Sequence, residues 1–252
     1  MYSNHPDKIV ATIEARMTST RLSGKVMLPL AGKPMLQRII ERLQTSRYID
    51  EIVVATTTNS IDDVLVELAQ KCGAHHFRGS EEDVLGRVLG AAQSVQADII
   101  MEITGDNPLL LGSGLVDEGL ELFFEKGVDY LGNQRTSFPV GFTIEIFPTA
   151  VLAEVDKLTD DPVDREHVSY YIYSHPEKYS LYIWKPARVY SWPGLRITLD
   201  EKADYDFIQA IYKRLLPKNN NFSERDVIKL LKTEPDLVEI NKHVKQRVPK
   251  KR

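Results

Sequence analysis

Three basic residues and two aspartates are the groups in this chain best suited to chemistry. Arg16, Arg21 and Lys25 lie in one stretch, IEARMTSTRLSGKVMLPLAGKPML, from Ile13 to Leu36. Small and hydroxyl residues separate them, among them Ala15, Thr18, Ser19 and Gly24. A loop of that kind can gather a polyphosphate, with backbone N–H groups as directional donors and the basic side chains supplying charge. Asp106 sits in a Thr104-Gly105-Asp106-Asn107-Pro108 run, and Asp200 closes Arg196-Ile197-Thr198-Leu199-Asp200. Their carboxylate oxygens are hard donors suited to Mg²⁺ beside phosphates. Taken singly, the first run also fits a turn and Asp200 a helix cap. Neither G-x-x-x-x-G-K-[ST] nor G-x-G-x-x-G occurs, so this is neither a P-loop nor a dinucleotide fingerprint.

Hydrophobic periodicity identifies the elements that must position these groups. Lys8 to Glu14, Glu51 to Thr56, Ala74 to Phe77 and Ala97 to Ile103 are short apolar runs, read as buried strands. Helical spacing covers Met35 to Gln44, Ile61 to Lys71, Asp83 to Val95 and Gly114 to Lys126. In the second of these helices Ile61, Val64, Leu65 and Leu68 are expected to face inward. The alternation predicts a doubly wound, mostly parallel α/β sheet of the Rossmann-like kind. Ligands of such sheets bind beyond the carboxyl ends of the strands. The basic loop follows the first strand there, and Asp106 and Asp200 follow two others, so the three parts converge on one edge.

The pattern changes over residues 128–192, where strands, prolines and aromatics mix, and we read a small, partly antiparallel lobe. Phe142 to Phe147 alternates with period two, which would leave one face accessible; Val163 to Ser174 reads as a helix and Leu195 to Leu199 as a strand. Tyr205 to Leu216 follows as an amphipathic helix, and Ser223 caps another. Residues 241–252 form a basic tail expected to be flexible, with VPKKR at its end read as a solvated terminus.

Composition bounds the rest. The chain has 252 residues, of which 42% are hydrophobic and 27% charged, consistent with one globular domain spanning 1–252. A net charge of −4 argues against a general nucleic-acid binder. No apolar run is long enough for a membrane span and no leader is evident, so a cytoplasmic location is expected. Cys72 is the single cysteine, and His5, His75, His76, His175 and His243 lack ligand spacing, so no disulfide or zinc site is expected.

The run AR-x-x-ST-R-L-x-G-K-x-x-x-x-L-x-G-x-P-M-L, from Ala15 to Leu36, resembles the N-terminal signature of cytidylyltransferases that activate acidic sugars. The resemblance is closest to the branch named for the spore coat polysaccharide protein SpsF. It extends through Ile49 to Thr57, Phe77 to Arg87, Ile103 to Leu109, Asp164 to Lys178 and Arg196 to Asp200. It implies a nucleotidyltransferase fold of the glycosyltransferase-A-like kind, CTP and an acidic sugar as substrates, Mg²⁺ as cofactor, and a homodimer. Arg16, Lys25, Asp106 and Asp200 would be catalytic, with Asp106 and Asp200 holding the metal. Ala15, Thr18, Ser19, Arg21, Arg78, Asp83 and Thr104 would join Arg16, Lys25 and Asp106 around the nucleotide. Asn133, Glu145, Arg165 and His167 would meet the sugar.

Two departures fall on the sugar side. Relatives read P-x-G-x-D-x-E with an arginine before the glycine; here Val140 replaces that arginine and Thr143 the aspartate. An acceptor carboxylate would then need Arg135, Arg165 or His167. Thr18 and Ser23 replace the commoner Gly and Pro of the loop, and Ser23 gives up some rigidity. Alternatives are transfer to a sugar 1-phosphate with another nucleotide such as GTP, and a nucleotide-sugar binder without catalysis. A glycosyltransferase of related fold would require a strand-end D-x-D, whereas Asp204-Tyr205-Asp206 falls in an expected helix.

Overall fold

The computed structural model describes residues 7–133 and 136–246. His5, Arg135 and the end of the basic tail, 247–252, lie outside the described residues.

Strand β1 (Ile9–Glu14) is buried on both faces up to its last residue. The basic loop follows, and a small hairpin of β2 (Pro29–Leu30) and β3 (Lys33–Pro34) leads into α1 (Met35–Leu43). Next come β4 (Glu51–Thr57), α2 (Asp63–Lys71), β5 (His75–Gly79), α3 (Val84–Ser94) and β6 (Ile99–Thr104). After α4 (Asp117–Lys126) the chain adds β7 (Tyr130–Gly132), β8 (Glu145–Pro148), α5 (Thr149–Leu158), α6 (Pro162–Glu166), α7 (Tyr170–Ser174) and β9 (Leu181–Ile183). It then forms α8 (Lys202–Leu215) and α9 (Glu224–Thr233).

Seven strands make one sheet in the order β5-β4-β1-β6-β8-β7-β9. All pairings are parallel except the two made by β8, which runs against β6 and β7. This is the doubly wound, mostly parallel sheet that the alternation predicts. Because side chains alternate across a strand, each inner strand feeds two cores. Ile9, Ala11 and Ile13 join Met101, Ile146 and residues of α1, α2, α4, α8 and α9 on one face. Val10, Val53, Ile100 and Phe147 pack with α3, α5 and α7 on the other. Each of the larger side chains, Val, Ile, Met or Phe, contributes roughly 1.5–3 kcal/mol on burial.

Four local expectations are corrected. Ile61 and Val64 face solvent, 53% and 40% exposed. A single 3₁₀ turn, Ser60–Asp62, precedes α2 and turns the fully buried Asp62 inward, where it accepts from the Met17 and Thr57 backbones; α2 buries Leu65 and Leu68 as expected, together with Ala69. Val163 to Ser174 is two short helices, broken at Val168, whose φ of 31° leaves the helical region. Leu195 to Leu199 is not a strand: Arg196 makes one isolated bridge to Val140, and the Leu199 N–H bonds the Asp106 carbonyl at 2.9 Å. The Phe142 to Phe147 alternation has no outer solvent face: the strand is only Glu145–Pro148, Phe142, Ile144, Ile146 and Phe147 are buried, and Thr143 and Glu145 open onto the cleft described below.

Candidate active site

The cleft lies where the sheet's parallel strands end. Glu14 closes β1, Thr104 closes β6, and the two strand ends are stitched by Gly105 N–H donating to the Glu14 carbonyl at 2.9 Å. A Cβ at position 105 would stand 2.4 Å from that carbonyl oxygen, so glycine is what lets the strand ends approach.

The basic loop is folded back on itself. Asp62 Oδ1 accepts the Met17 N–H at 2.7 Å, and the Met17 carbonyl accepts the Gly24 N–H at 2.9 Å. Gly24, at φ 68°, starts a single 3₁₀ turn, Lys25–Met27. That turn aims Lys25 into the cleft. Its Nζ sits 3.0 Å from Asp106 Oδ2 and 2.8 Å from Asp200 Oδ1. Arg21 reaches the same Asp200 Oδ1 at 2.7 Å, and Arg196 reaches Asp200 Oδ2 at 2.5 Å.

Electrostatics follow from this packing. Burial pushes the Asp200 carboxyl up, but Lys25, Arg196 and Arg21 outweigh it and hold it down to about 2. Burial works against the Lys25 ammonium, yet Asp106 and Asp200 raise it above its ordinary value. Asp200 is therefore an anion and Lys25 a cation near neutral pH. Arg196 is fixed in turn by Asp204 at the start of α8, through contacts of 3.1 and 3.0 Å. Asp106 is oriented by the Thr104 hydroxyl at 2.7 Å, which itself accepts from the Asn107 amide at 2.8 Å.

The resulting cleft has a volume of about 710 Å³ and is lined by Ala15, Arg16, Ser19, Arg21, Lys25, Thr104, Asp106 and Asp200 at one end. Asn133, Val140, Thr143, Glu145 and His167 also line it. That volume is ample for a small-molecule site. Arg16 lines the cleft while pairing with Glu81 at 2.8 Å. Asn133 lines it too, but its amide clips the chain before β8: Nδ2 donates to the Phe142 carbonyl at 2.7 Å and Oδ1 accepts from Ile144 N–H at 2.9 Å.

Four of the residues singled out from sequence do not line the cleft. Thr18 donates its hydroxyl to Glu81. Arg78 donates to the Thr57 and Asn59 carbonyls at 2.9 and 2.8 Å and pairs with Asp63 at 2.6 Å. Asp83 caps α3 by accepting from Gly86 N–H at 2.9 Å. The same carboxylate takes two N–H bonds from Arg165, at 2.8 and 2.5 Å, and so ties α3 to α6.

Several residues at the site went unnoticed in the sequence reading. Glu14 lines the cleft, Glu102 lies beneath it, and Arg87 from α3 faces Glu14. Burial, with Glu145 nearby, pushes both glutamates upward, Glu14 to about 7 against the pull of its hydrogen bond with Glu102 and of Arg87. A signal was present for the two glutamates: Glu14 ends one apolar strand run and Glu102 lies within another.

A basic loop after the first strand, facing two carboxylates across the ends of a parallel sheet, defines a nucleotide-handling α/β protein of the nucleotidyltransferase class. The sequence model of the cytidylyltransferase family matches residues 10–233, and the chain belongs to that family. It is 33% identical over 233 residues to the spore coat polysaccharide biosynthesis protein SpsF of Bacillus subtilis, covering 90% of this chain and 95% of SpsF. It is similar in structure to a cytidylyltransferase from Leptospira borgpetersenii, with a TM-score of 0.86 at 34% identity, over 92% of this chain and 97% of that one. A 3-deoxy-manno-octulosonate cytidylyltransferase from Geobacter sulfurreducens is 32% identical over 130 residues, 51% of this chain and 50% of that protein.

Proposed function

We propose that this protein transfers CMP from CTP to a hydroxyl of an acidic sugar. The sugar oxygen attacks the α-phosphorus and forms the new P–O bond. The bond to the bridging oxygen breaks, pyrophosphate leaves, and the hydroxyl proton is given up to the surroundings. Most of the work in such a transfer is positioning and charge stabilisation.

The observation that carries this reading is the Lys25 ammonium held between Asp106 and Asp200 at 3.0 and 2.8 Å, directly beside Arg21. In the proposal, Arg16 and Arg21 neutralise the triphosphate and Lys25 fixes it against the two aspartates. Ala15, Ser19 and Thr104, which line the same end of the cleft, surround the nucleotide.

Mg²⁺ belongs to the proposal. Among the described residues no group of three or more His, Cys, Asp or Glu is arranged for a metal. Mg²⁺ in phosphate-transfer sites characteristically takes one or two carboxylates and completes its shell with water and phosphate oxygens. Two carboxylates that already converge on one cation fit that donor set. When bound, the ion would supply Lewis-acid neutralisation of phosphate charge.

The acidic sugar is suggested by the name of the Geobacter relative and by the family resemblance. A panel crossing the four nucleoside triphosphates with acidic sugars and sugar 1-phosphates, read by pyrophosphate release, tests the proposal. Turnover should require CTP and an acidic sugar. Turnover with GTP and a sugar 1-phosphate, and none with CTP, would overturn it.

A further inference from the structure

Asp200 is held in place without a strand. The segment before it makes one isolated bridge, from Arg196 to Val140, so no sheet ladder fixes its direction. On one side the Asp106 carbonyl steadies that segment, accepting the Leu199 N–H at 2.9 Å and the Thr198 hydroxyl at 3.2 Å. On the other side the hold is a buried polar network centred on Asp204, fully buried in the first turn of α8. Its carboxylate takes five donors. Arg196 supplies Nε at 3.1 Å and Nη2 at 3.0 Å, the Asp200 and Glu201 N–H groups are each at 3.0 Å, and Asn241 Nδ2 is at 2.9 Å.

The last of these donors comes from beyond α9. A 3₁₀ turn, Pro235–Ile240, packs against α8 and α9 and delivers Asn241, 2% exposed, to the network. The same Nδ2 donates to the Arg196 carbonyl at 3.1 Å. Asn241 thus grips Arg196 at its backbone and, through Asp204, at its guanidinium. Five residues on, Gln246 lines the cleft and accepts from Arg196 Nη1. All three guanidinium nitrogens are then engaged, and Nη2 is aimed at Asp200 Oδ2, which leaves Oδ1 to face Lys25 and Arg21.

The formal charges of this cluster already balance: Asp106, Asp200 and Asp204 against Arg21, Lys25 and Arg196. Asn241 and Gln246 add direction and no charge. Taking a donor from a buried network leaves a charged group under-served and frees its neighbours to turn. Asp200 is the member with least else to fix it. We propose that Asn241 and Gln246, both from the stretch that composition marks as a basic tail, are positioning residues for the transfer. Acting through Asp204 and Arg196, they set the direction in which Asp200 presents Oδ1 to the cleft; this rests on the reaction and the metal role proposed above.

Full-length Asn241→Leu and Gln246→Ala test the assignment, with a thermal melt to report folding and two readouts. The first is calorimetric binding of CTP without acceptor across a Mg²⁺ titration. The Mg²⁺ concentration for half-maximal binding should rise about tenfold in Asn241→Leu and about threefold in Gln246→Ala. The second is pyrophosphate release, in which kcat should fall by the same factors while the acceptor KM stays at its wild-type value. Gln246 is exposed, so its variant decides the matter should Asn241→Leu not fold. A residue that only stabilises the fold would lower the melting temperature and move neither readout, and that result in a folded variant overturns the proposal. So does an acceptor KM that rises with kcat and the Mg²⁺ midpoint unchanged. The transfer fails separately. Shifted Mg²⁺ midpoints in the variants, with no pyrophosphate from wild type on any acceptor, sink the transfer and leave the positioning standing. Wild-type turnover, with both readouts unmoved in the variants, does the reverse.

Discussion

Lys25 and Asp200 are 175 residues apart in sequence and 2.8 Å apart in space. Their contact joins the loop after the first strand to the segment before α8, and Asp106 at 3.0 Å makes it a bridge between two carboxylates. The account of activity rests on that bridge, and the variants at each of its ends behave differently.

Asp106→Asn removes one anionic ligand and keeps the shape. Its side chain is 23% exposed and its near neighbours are polar, so little core packing is lost. Turnover should fall by about two to three orders of magnitude, with a melting temperature within a few degrees of wild type. Steady-state kinetics beside a thermal melt check this; wild-type turnover would remove Asp106 from the chemistry.

Lys25→Met deletes the cation between Asp106 and Asp200 and leaves two carboxylates facing each other. Like charges held together bind a divalent ion more readily. Stabilisation by added Mg²⁺ in a thermal melt should therefore be larger in the variant than in wild type, while turnover falls about a hundredfold. Equal Mg²⁺ responses would show that the ammonium and the ion do not share a place.

Asp83 and Arg165 are predicted to act as a brace between α3 and α6. Their paired N–H bonds, at 2.8 and 2.5 Å, lie outside the cleft lining. Asp83→Asn and Arg165→Met should each destabilise the protein, with a coupling of about 0.5–3 kcal/mol in a double-mutant cycle, and leave the KM for both substrates unchanged. An acceptor KM that rises only in Arg165→Met would return Arg165 to the sugar site.

Glu224 is fully buried at the start of α9, where Oε1 accepts from Leu111 N–H at 2.7 Å. Burial pushes its carboxyl up to about 7, against the pull of that bond and of Arg42. The folded state thus holds a proton that the unfolded chain releases near the ordinary value of 4.5. Stability is fully present below that value and declines as pH rises toward 7, by roughly 3 kcal/mol from this residue. Glu224→Gln should flatten the decline. It should be slightly less stable than wild type at low pH, because an amide N–H₂ replaces an oxygen that has no donor, and more stable above pH 8. Chemical denaturation across that range reads it; parallel curves would refute the assignment.

The basic loop and the two aspartates were legible because strand-end loops follow directly from the βα alternation. What the sequence could not disclose is pairing. Arg165 as a sugar contact and Asp83 as a nucleotide contact are single-residue readings; the bonds between them, 82 residues apart, depend on how α6 packs on α3. Ile61 and Val64 fit a helical stripe, but the periodicity cannot show that Asp62 takes the inward place. Glu102 and Glu145 become neighbours only through the reversed strand β8, whose register no local pattern encodes. The charge in the middle of Ile99–Thr104 was the signal, and without a partner it read as an ordinary strand residue.

The most direct measurement follows phosphorus from CTP into product, with the label placed at the α or at the γ position. The account predicts that α-label appears in a sugar phosphodiester, γ-label appears only in pyrophosphate, and both signals vanish in Asp106→Asn. Transfer of γ-label to the sugar, or no labelled sugar from CTP with any acidic acceptor, would contradict it.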